Sequence, residues 1–122
     1  MKQQILSAIN GRIRDLQKTV DRAQSLMQQN FNHFFCYESK ETYKAYYLLE
    51  KYTQLLKEVE DTANTEELLE FMRNSAGFYL RQLTDQKLYA ATTNQMVNLS
   101  RSFEMEAAQI LYKFHRHFIG KN

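Results

Sequence analysis

The chain has 122 residues, of which 43% are hydrophobic, and it carries a net charge of +2 and a single cysteine. It contains no proline and only three glycines, the two residue types that most often interrupt helices and form sharp turns. An all-β domain of this length needs many turns, so the composition excludes one and favours a few long helices. The length predicts a single domain over residues 1–122.

No run of apolar residues is long enough to cross a membrane, and we expect no membrane partner. The first 15 residues lack the continuous apolar core of a secretory signal. One cysteine cannot form an internal disulfide, which favours a reducing compartment. The sequence therefore predicts a cytoplasmic protein.

The first predicted helix covers residues 2–30. Its apolar residues recur every three or four positions, close to the 3.5-residue repeat of packed helices. They are Ile5, Ile9, Ile13, Leu16, Val20, Ala23 and Met27. Gly11 lies inside this pattern, where it costs about 1 kcal/mol relative to alanine, but the pattern continues beyond it.

Residues 31–37 contain four aromatic residues, and no Asp, Glu, Lys or Arg occurs between residues 23 and 37. This segment is either the packed end of the first helix or a buried turn. Ser39 is then expected to cap the second helix, which covers residues 39–61. Its apolar face is predicted to contain Tyr43, Tyr46, Tyr47, Leu49, Tyr52, Leu56 and Val59, with Leu48 and Leu55 widening it.

Residues 61–64 are predicted to form a loop. Thr65 or Asn64 is expected to cap the third helix, and Asn64 with Glu67 has the spacing of a capping box. The third helix follows, with Gly77 as a candidate kink and a break near Thr84 and Asp85. Its apolar face is Leu68, Leu69, Met72, Ala76, Tyr79, Leu80 and Leu83. A last stripe runs from Leu88 to Phe118, either continuous or broken at Thr92 and Thr93, and ends at Gly120.

Helices of this length, joined by short loops, bury their apolar faces by packing antiparallel. The predicted fold is therefore all-α, an antiparallel, up-and-down bundle of three to four long helices.

Charge is segregated along the chain. Residues 1–37 hold five basic and two acidic residues, residues 38–70 four and nine, and residues 71–122 seven and three. One interpretation is that acidic and basic helices complement each other within the bundle or between copies of it. The alternative is a nucleic-acid-binding accessory protein using the basic first and fourth helices, with Arg12, Lys18 and Arg22 on one side of the first. No helix-turn-helix, zinc-finger or RNP motif accompanies these residues.

Half of the 16 Phe and Tyr residues fall between residues 31 and 52. Large rings fill helix-bundle cores, but they are also enriched at protein interfaces. The favoured hypothesis is a noncatalytic protein that binds a protein partner and associates with itself, as a homodimer. The predicted partner-binding residues are Phe31, Phe34, Phe35, Tyr43 and Tyr47.

Catalytic and metal-binding patterns are weak. His33 and Cys36 are three residues apart and offer two ligands, whereas a structural zinc site needs four. Cys36 is expected to be a buried small hydrophobe. His115 and His117 are two residues apart and point to different sides of a helix, where they suit the negative end of its dipole. No phosphate-binding or nucleophile-elbow motif occurs, so we expect no cofactor, metal or catalytic residue.

Overall fold

The computed structural model describes residues 1–85 and 91–119. Nearly all of these residues are helical, and no strand occurs among them. The long helices are α1 (Lys2–Gln29), α3 (Ser39–Glu60), α4 (Thr65–Thr84) and α5 (Gln95–Ile119). A short helix α2 (Phe31–His33) and a π-helical turn (Phe34–Glu38) lead directly into α3. The predicted all-α class is confirmed, with four long helices.

The chain divides into two compact units. The first unit is Gln3–Glu60, which contains α1, α2, the π-helical turn and α3. The second unit combines Met1–Lys2 with the described residues from Asp61 onward, which contain α4 and α5. That residues 1–122 form a single domain stays a prediction.

Helix α1 ends within one residue of the predicted boundary. Ile5, Ile9, Val20 and Ala23 are buried and confirm this part of the predicted apolar face, whereas Met27 at its end is exposed. Gly11 lies in the regular helix, and no described residue has a positive φ. Gly11 and Gly77 are therefore both helical, and neither forms a turn.

Helix α3 differs from its prediction in two respects. Ser39 is not an N-cap, because the backbone is already helical there and its hydroxyl donates to the Phe35 carbonyl at 2.7 Å. The buried face is Thr42, Ala45, Leu48, Tyr52, Leu55 and Val59. Tyr43 and Tyr46 are instead exposed. The prediction is therefore confirmed for Leu48, Tyr52, Leu55 and Val59. It is wrong for the two exposed tyrosines, because the smaller Thr42 and Ala45 lie in the core instead.

The predicted start of α4 is confirmed in detail. The Asn64 side chain accepts a hydrogen bond from the Glu67 backbone N–H at 2.8 Å. The Glu67 carboxylate in turn accepts from the Ala63 N–H at 3.2 Å. This is a capping box whose return arm reaches one residue further back than usual. Gly77 lies within α4 and forms no break.

The break after Thr84 is confirmed, and a continuous helix from Leu88 is wrong, because α5 begins at Gln95. The Asn94 side chain accepts from the backbone N–H groups of Met96 and Val97, at 3.0 and 3.1 Å. The break therefore includes Thr92 and Thr93, as in the alternative interpretation. Leu88 and Gly120 lie outside the described residues.

Helices α4 and α5 pack antiparallel. Ser75 and His115 are hydrogen-bonded, so they lie at the same level. In a parallel arrangement Thr84 and Gln95 would be about 43 Å apart at 1.5 Å per residue. The intervening residues span at most about 36 Å when fully extended. The buried residues are Leu68, Met72, Ala76 and Tyr79 in α4, and Ala107, Ala108, Leu111, Phe114, His115 and Ile119 in α5.

Candidate interaction surface

The segment from Phe31 to Tyr37, here called the aromatic turn, starts a new helix after one non-helical residue, Asn30. The Asn30 side chain accepts from the His33 backbone N–H at 3.1 Å and caps α2. Because α2, the π-helical turn and α3 are continuous, the rings of the aromatic turn project from a hydrogen-bonded helical backbone. The positions of the Cα atoms that carry these rings are therefore fixed by helical structure.

The π-helical turn decides which phenylalanine is buried. Regular α-helical steps backward from the buried face of α3 lead from Thr42 to Phe35 and then Phe31. A π-helical turn holds about one residue more than an α-helical turn, which rotates the preceding segment by about 100°. Phe34 is accordingly 6% exposed, whereas Phe35 is 52% exposed and Phe31 61%.

Phe31 and Phe35 form the centre of an exposed aromatic surface. Their rings are stacked, with centroids 6.2 Å apart and planes 25° from parallel. On the same turn the rings of His33 and Tyr37 are 5.0 Å apart, and Tyr37 is exposed. The prediction that Phe34 contributes to an exposed surface is wrong, because the extra residue of the π-helical turn points it inward.

The two predicted tyrosines of α3 differ in their surroundings. The Tyr43 side chain is partly exposed, at 37%. Tyr47 is half-buried, with the Lys51 Nζ 5.4 Å from its ring centroid. The neighbouring Tyr46, which sequence reasoning placed in the core, accepts a hydrogen bond from the Gln24 side chain at 3.0 Å. This bond joins α1 to α3 inside the first unit.

Cys36 is exposed, so the expectation of a buried cysteine is wrong. Its thiol lies 3.9 Å from the Asn32 side-chain oxygen, and the His33 ring instead faces Tyr37. The structure therefore does not bring His33 and Cys36 together as a nucleophile and base. In residues 1–85 and 91–119, no three His, Cys, Asp or Glu side chains converge in a way that could hold a metal ion.

The basic residues of α1 do not form the predicted stripe. Arg14, Lys18 and Arg22 are four residues apart and align, but Arg12 lies about 120° around the helix from Lys18. Arg22 forms an ion pair with Glu38 at 3.6 Å. Exposed Asp15 and Asp21, each three residues from Lys18, flank the stripe. The positive surface is therefore interrupted by carboxylates.

Negative charge is concentrated in residues 58–70, where α3 ends and α4 begins, rather than along α3. Helix α3 has equal numbers of acidic and basic residues. Six carboxylates fall between residues 58 and 70, with no basic residue among them. All six are exposed, so these carboxylates are solvated.

A second aromatic cluster surrounds His115, for which the sequence suggested only an interaction with the negative end of the helix dipole. The side chain is 1% exposed and lies in the core. Its Nδ1 is 2.7 Å from the Leu111 carbonyl, and its Nε2 is 2.9 Å from the Ser75 hydroxyl. Since a carbonyl only accepts, Nδ1 carries the proton and Ser75 donates to Nε2. Its partner Ser75 lies 40 residues earlier in the chain, so no local spacing indicated this burial.

The environment of His115 favours its neutral form. Burial lowers the pKa of His115, and the hydrogen bond to the Leu111 carbonyl partly opposes this effect. The Tyr79 ring lies 5.4 Å from the imidazole, and burial raises the pKa of Tyr79. Both groups are therefore uncharged near neutral pH.

The Ser75–His115 pair has two elements of an activated serine, a base within hydrogen-bond reach and a carbonyl that orients it. Acyl transfer also needs donors for an oxyanion. Ser75 lies in the middle of α4, where backbone N–H groups bond within the helix. What the pair does in this geometry is join α4 to α5.

Comparisons of the chain with protein-family models, curated proteins and solved structures give no match. No helix in the described part of the chain is long and apolar enough to cross a membrane. The geometry of the aromatic turn is consequently the evidence for the candidate site.

Proposed function

We propose that this is a noncatalytic interaction protein that associates with itself through the aromatic turn. The observation that carries the proposal is the stacked pair Phe31 and Phe35, both more than half exposed. Exposed aromatic rings that hold a fixed geometry are typical energetic centres of protein interfaces. Because they project from a continuous helix, less conformational entropy is lost when a partner orders them.

The charge distribution favours a second copy of this chain as the partner. Two-fold symmetry places the same surface on both sides of an interface, so a charged patch would meet its own charge. No Asp, Glu, Lys or Arg lies between residues 23 and 37. The residues next to the rings in the sequence include exposed amides such as Gln28 and Asn32, which can donate and accept in either copy.

We place this protein in the cytoplasm as part of the same proposal. Cys36 lies among the rings of the aromatic turn and is exposed. A reducing compartment keeps such a thiol free, so that association depends on the rings and remains reversible.

The test is sedimentation velocity over a concentration series, in the presence of a reductant so that Cys36 cannot crosslink copies. The wild-type chain is expected to shift from monomer to dimer as concentration rises. Phe31→Ala with Phe35→Ala is expected to weaken association at least thirtyfold, since a hot-spot residue contributes about 2 kcal/mol or more.

Phe78→Ala is the matched control, because Phe78 is 49% exposed and lies on α4. It should associate like the wild type. A wild-type chain that stays monomeric at every concentration would refute self-association. A double variant that dimerises normally would show that the interface lies elsewhere.

Nucleic-acid binding by the basic residues of α1 and α5 stays an alternative proposal. It predicts that affinity for a generic duplex falls steeply between about 50 and 200 mM salt. Replacing Arg14 and Lys18 by Gln should then reduce binding, whereas the aromatic variants should not. The carboxylates that flank Lys18 are the reason that we favour the aromatic turn.

A further inference from the structure

His115 is the buried ionisable group on which α4 and α5 converge. Both ring nitrogens are used, Nδ1 with the Leu111 carbonyl of α5 and Nε2 with the Ser75 hydroxyl of α4. The rings of Tyr79 and Phe114 lie 5.4 and 6.0 Å from the imidazole. Four neutral groups, two from each helix, thus face the neutral ring.

Protonation of His115 would place a positive charge on the buried ring, and no negatively charged group among the described residues pairs with it. Ser75 would have to turn its hydrogen away from Nε2, because both nitrogens of a protonated imidazole are donors. Tyr79 is the ionisable neighbour, and it stays neutral in acid. Within the described residues no carboxylate pairs with the ring, and a buried, unpaired charge strongly disfavours the closed state.

We propose that His115 is an acid-sensitive latch that holds α4 against α5 while it is neutral and releases them when it is protonated. The consequence is that the closed state of this second unit loses stability between neutral pH and about pH 5, the range in which histidines change charge. The latch acts within the second unit and is independent of the proposed self-association.

The direction follows from proton linkage. The folded chain holds His115 in its neutral form, whereas the unfolded chain binds a proton at the ordinary histidine pKa of about 6.5. The unfolded state therefore binds more protons below this pH, and stability falls as the solution is acidified. Between about pH 7.5 and 5, His115 can raise the unfolding equilibrium constant by at most about thirtyfold.

The experiment compares urea unfolding of the full chain at these two pH values for wild type, His115→Gln and His117→Gln. His117 is exposed and two residues away, so His117→Gln is the matched control. In wild type and in His117→Gln, the unfolding equilibrium constant should rise in acid by the same factor, of up to about thirtyfold. In His115→Gln most of this rise should be absent.

Equal acid sensitivity in His115→Gln and wild type would overturn the proposal. Should His115→Gln not fold, NMR titration of the wild-type histidine rings gives an independent decision. The His115 signals should remain those of a neutral ring to a pH below the ordinary histidine pKa of about 6.5. A His115 ring that becomes protonated in the folded chain at this ordinary pKa would refute the latch.

Discussion

The aromatic turn and the His115 cluster contain the same kinds of side chain in opposite environments. Each combines phenylalanine, tyrosine and histidine rings at centroid distances near 5 to 6 Å. In the turn the rings of Phe31, Phe35 and Tyr37 face solvent, whereas those of Tyr79, Phe114 and His115 are buried. Residue type therefore does not determine which cluster becomes core and which becomes surface.

Helical phase makes the difference. Leu111 and His115 lie four residues apart on a regular helix, in line with the buried face of α5. The aromatic turn contains a π-helical turn, whose extra residue moves Phe31 and Phe35 out of line with the buried face of α3. π-helical turns are rare and are frequently found at functional sites. This observation agrees with an interaction role for the exposed rings.

The largest expected difference between the two clusters is in core stability. Phe114→Ala should lower the free energy of unfolding by about 3–5 kcal/mol, because it leaves a cavity where a buried ring was. Phe31→Ala should change it by less than about 0.5 kcal/mol. Urea unfolding at low protein concentration, where the chain is monomeric, measures both. Comparable losses in the two variants would contradict the assignment of Phe31 to the surface.

A smaller contrast concerns two serine hydroxyls. Ser75→Ala removes the donor to buried His115 Nε2, and an unsatisfied buried acceptor costs about 1–3 kcal/mol. Ser39 donates to a carbonyl of its own helical turn, so Ser39→Ala should change stability by less than about 0.5 kcal/mol. The same denaturation series measures both variants. A neutral Ser75→Ala would mean that the hydroxyl does not support the imidazole.

Much of the fold could be predicted because its signals are local. The apolar repeat of α1 identified its length and its buried residues. The spacing of Asn64 and Glu67 located the start of α4 through a capping box that involves residues 63–67. These features depend on neighbours within one or two helical turns, which sequence spacing represents directly.

The errors in the candidate site have one structural origin. Sequence reasoning expected a helix boundary at Ser39, but the helix continues backward through a π-helical turn to Phe31. Nothing in the composition of residues 31–37 indicates one extra residue per turn. The burial of Phe34 and the exposure of Cys36 were missed, because both depend on the helical phase through this turn.

The burial of His115 was missed for a different reason. A histidine near a helix C-terminus is commonly explained by the helix dipole, and that explanation suits His117, which lies in the last turn of α5. Burial of His115 depends on Ser75, 40 residues earlier in the chain. Only the packing of α4 against α5 supplies that partner, so no local pattern could have found it.

Small stabilising effects are expected at the two helical glycines, one in each unit. Alanine loses less backbone entropy than glycine on folding, so a tolerated substitution stabilises by about 0.5–1 kcal/mol. A Cβ at Gly11 would lie 3.8 Å from the Arg14 Nη2, an ordinary contact. At Gly77 it would lie 3.4 Å from the Arg81 Nη1, the mobile end of an exposed side chain.

Both alanine variants should therefore raise the urea midpoint, with Gly11→Ala at least as effective as Gly77→Ala. A loss of stability in Gly77→Ala alone would mean that the Arg81 guanidinium is held in place beside α4. The second unit would then have a fixed surface contact in addition to its buried latch. A loss in Gly11→Ala would instead indicate that α1 is packed more closely at Gly11 than its 3.8 Å contact implies.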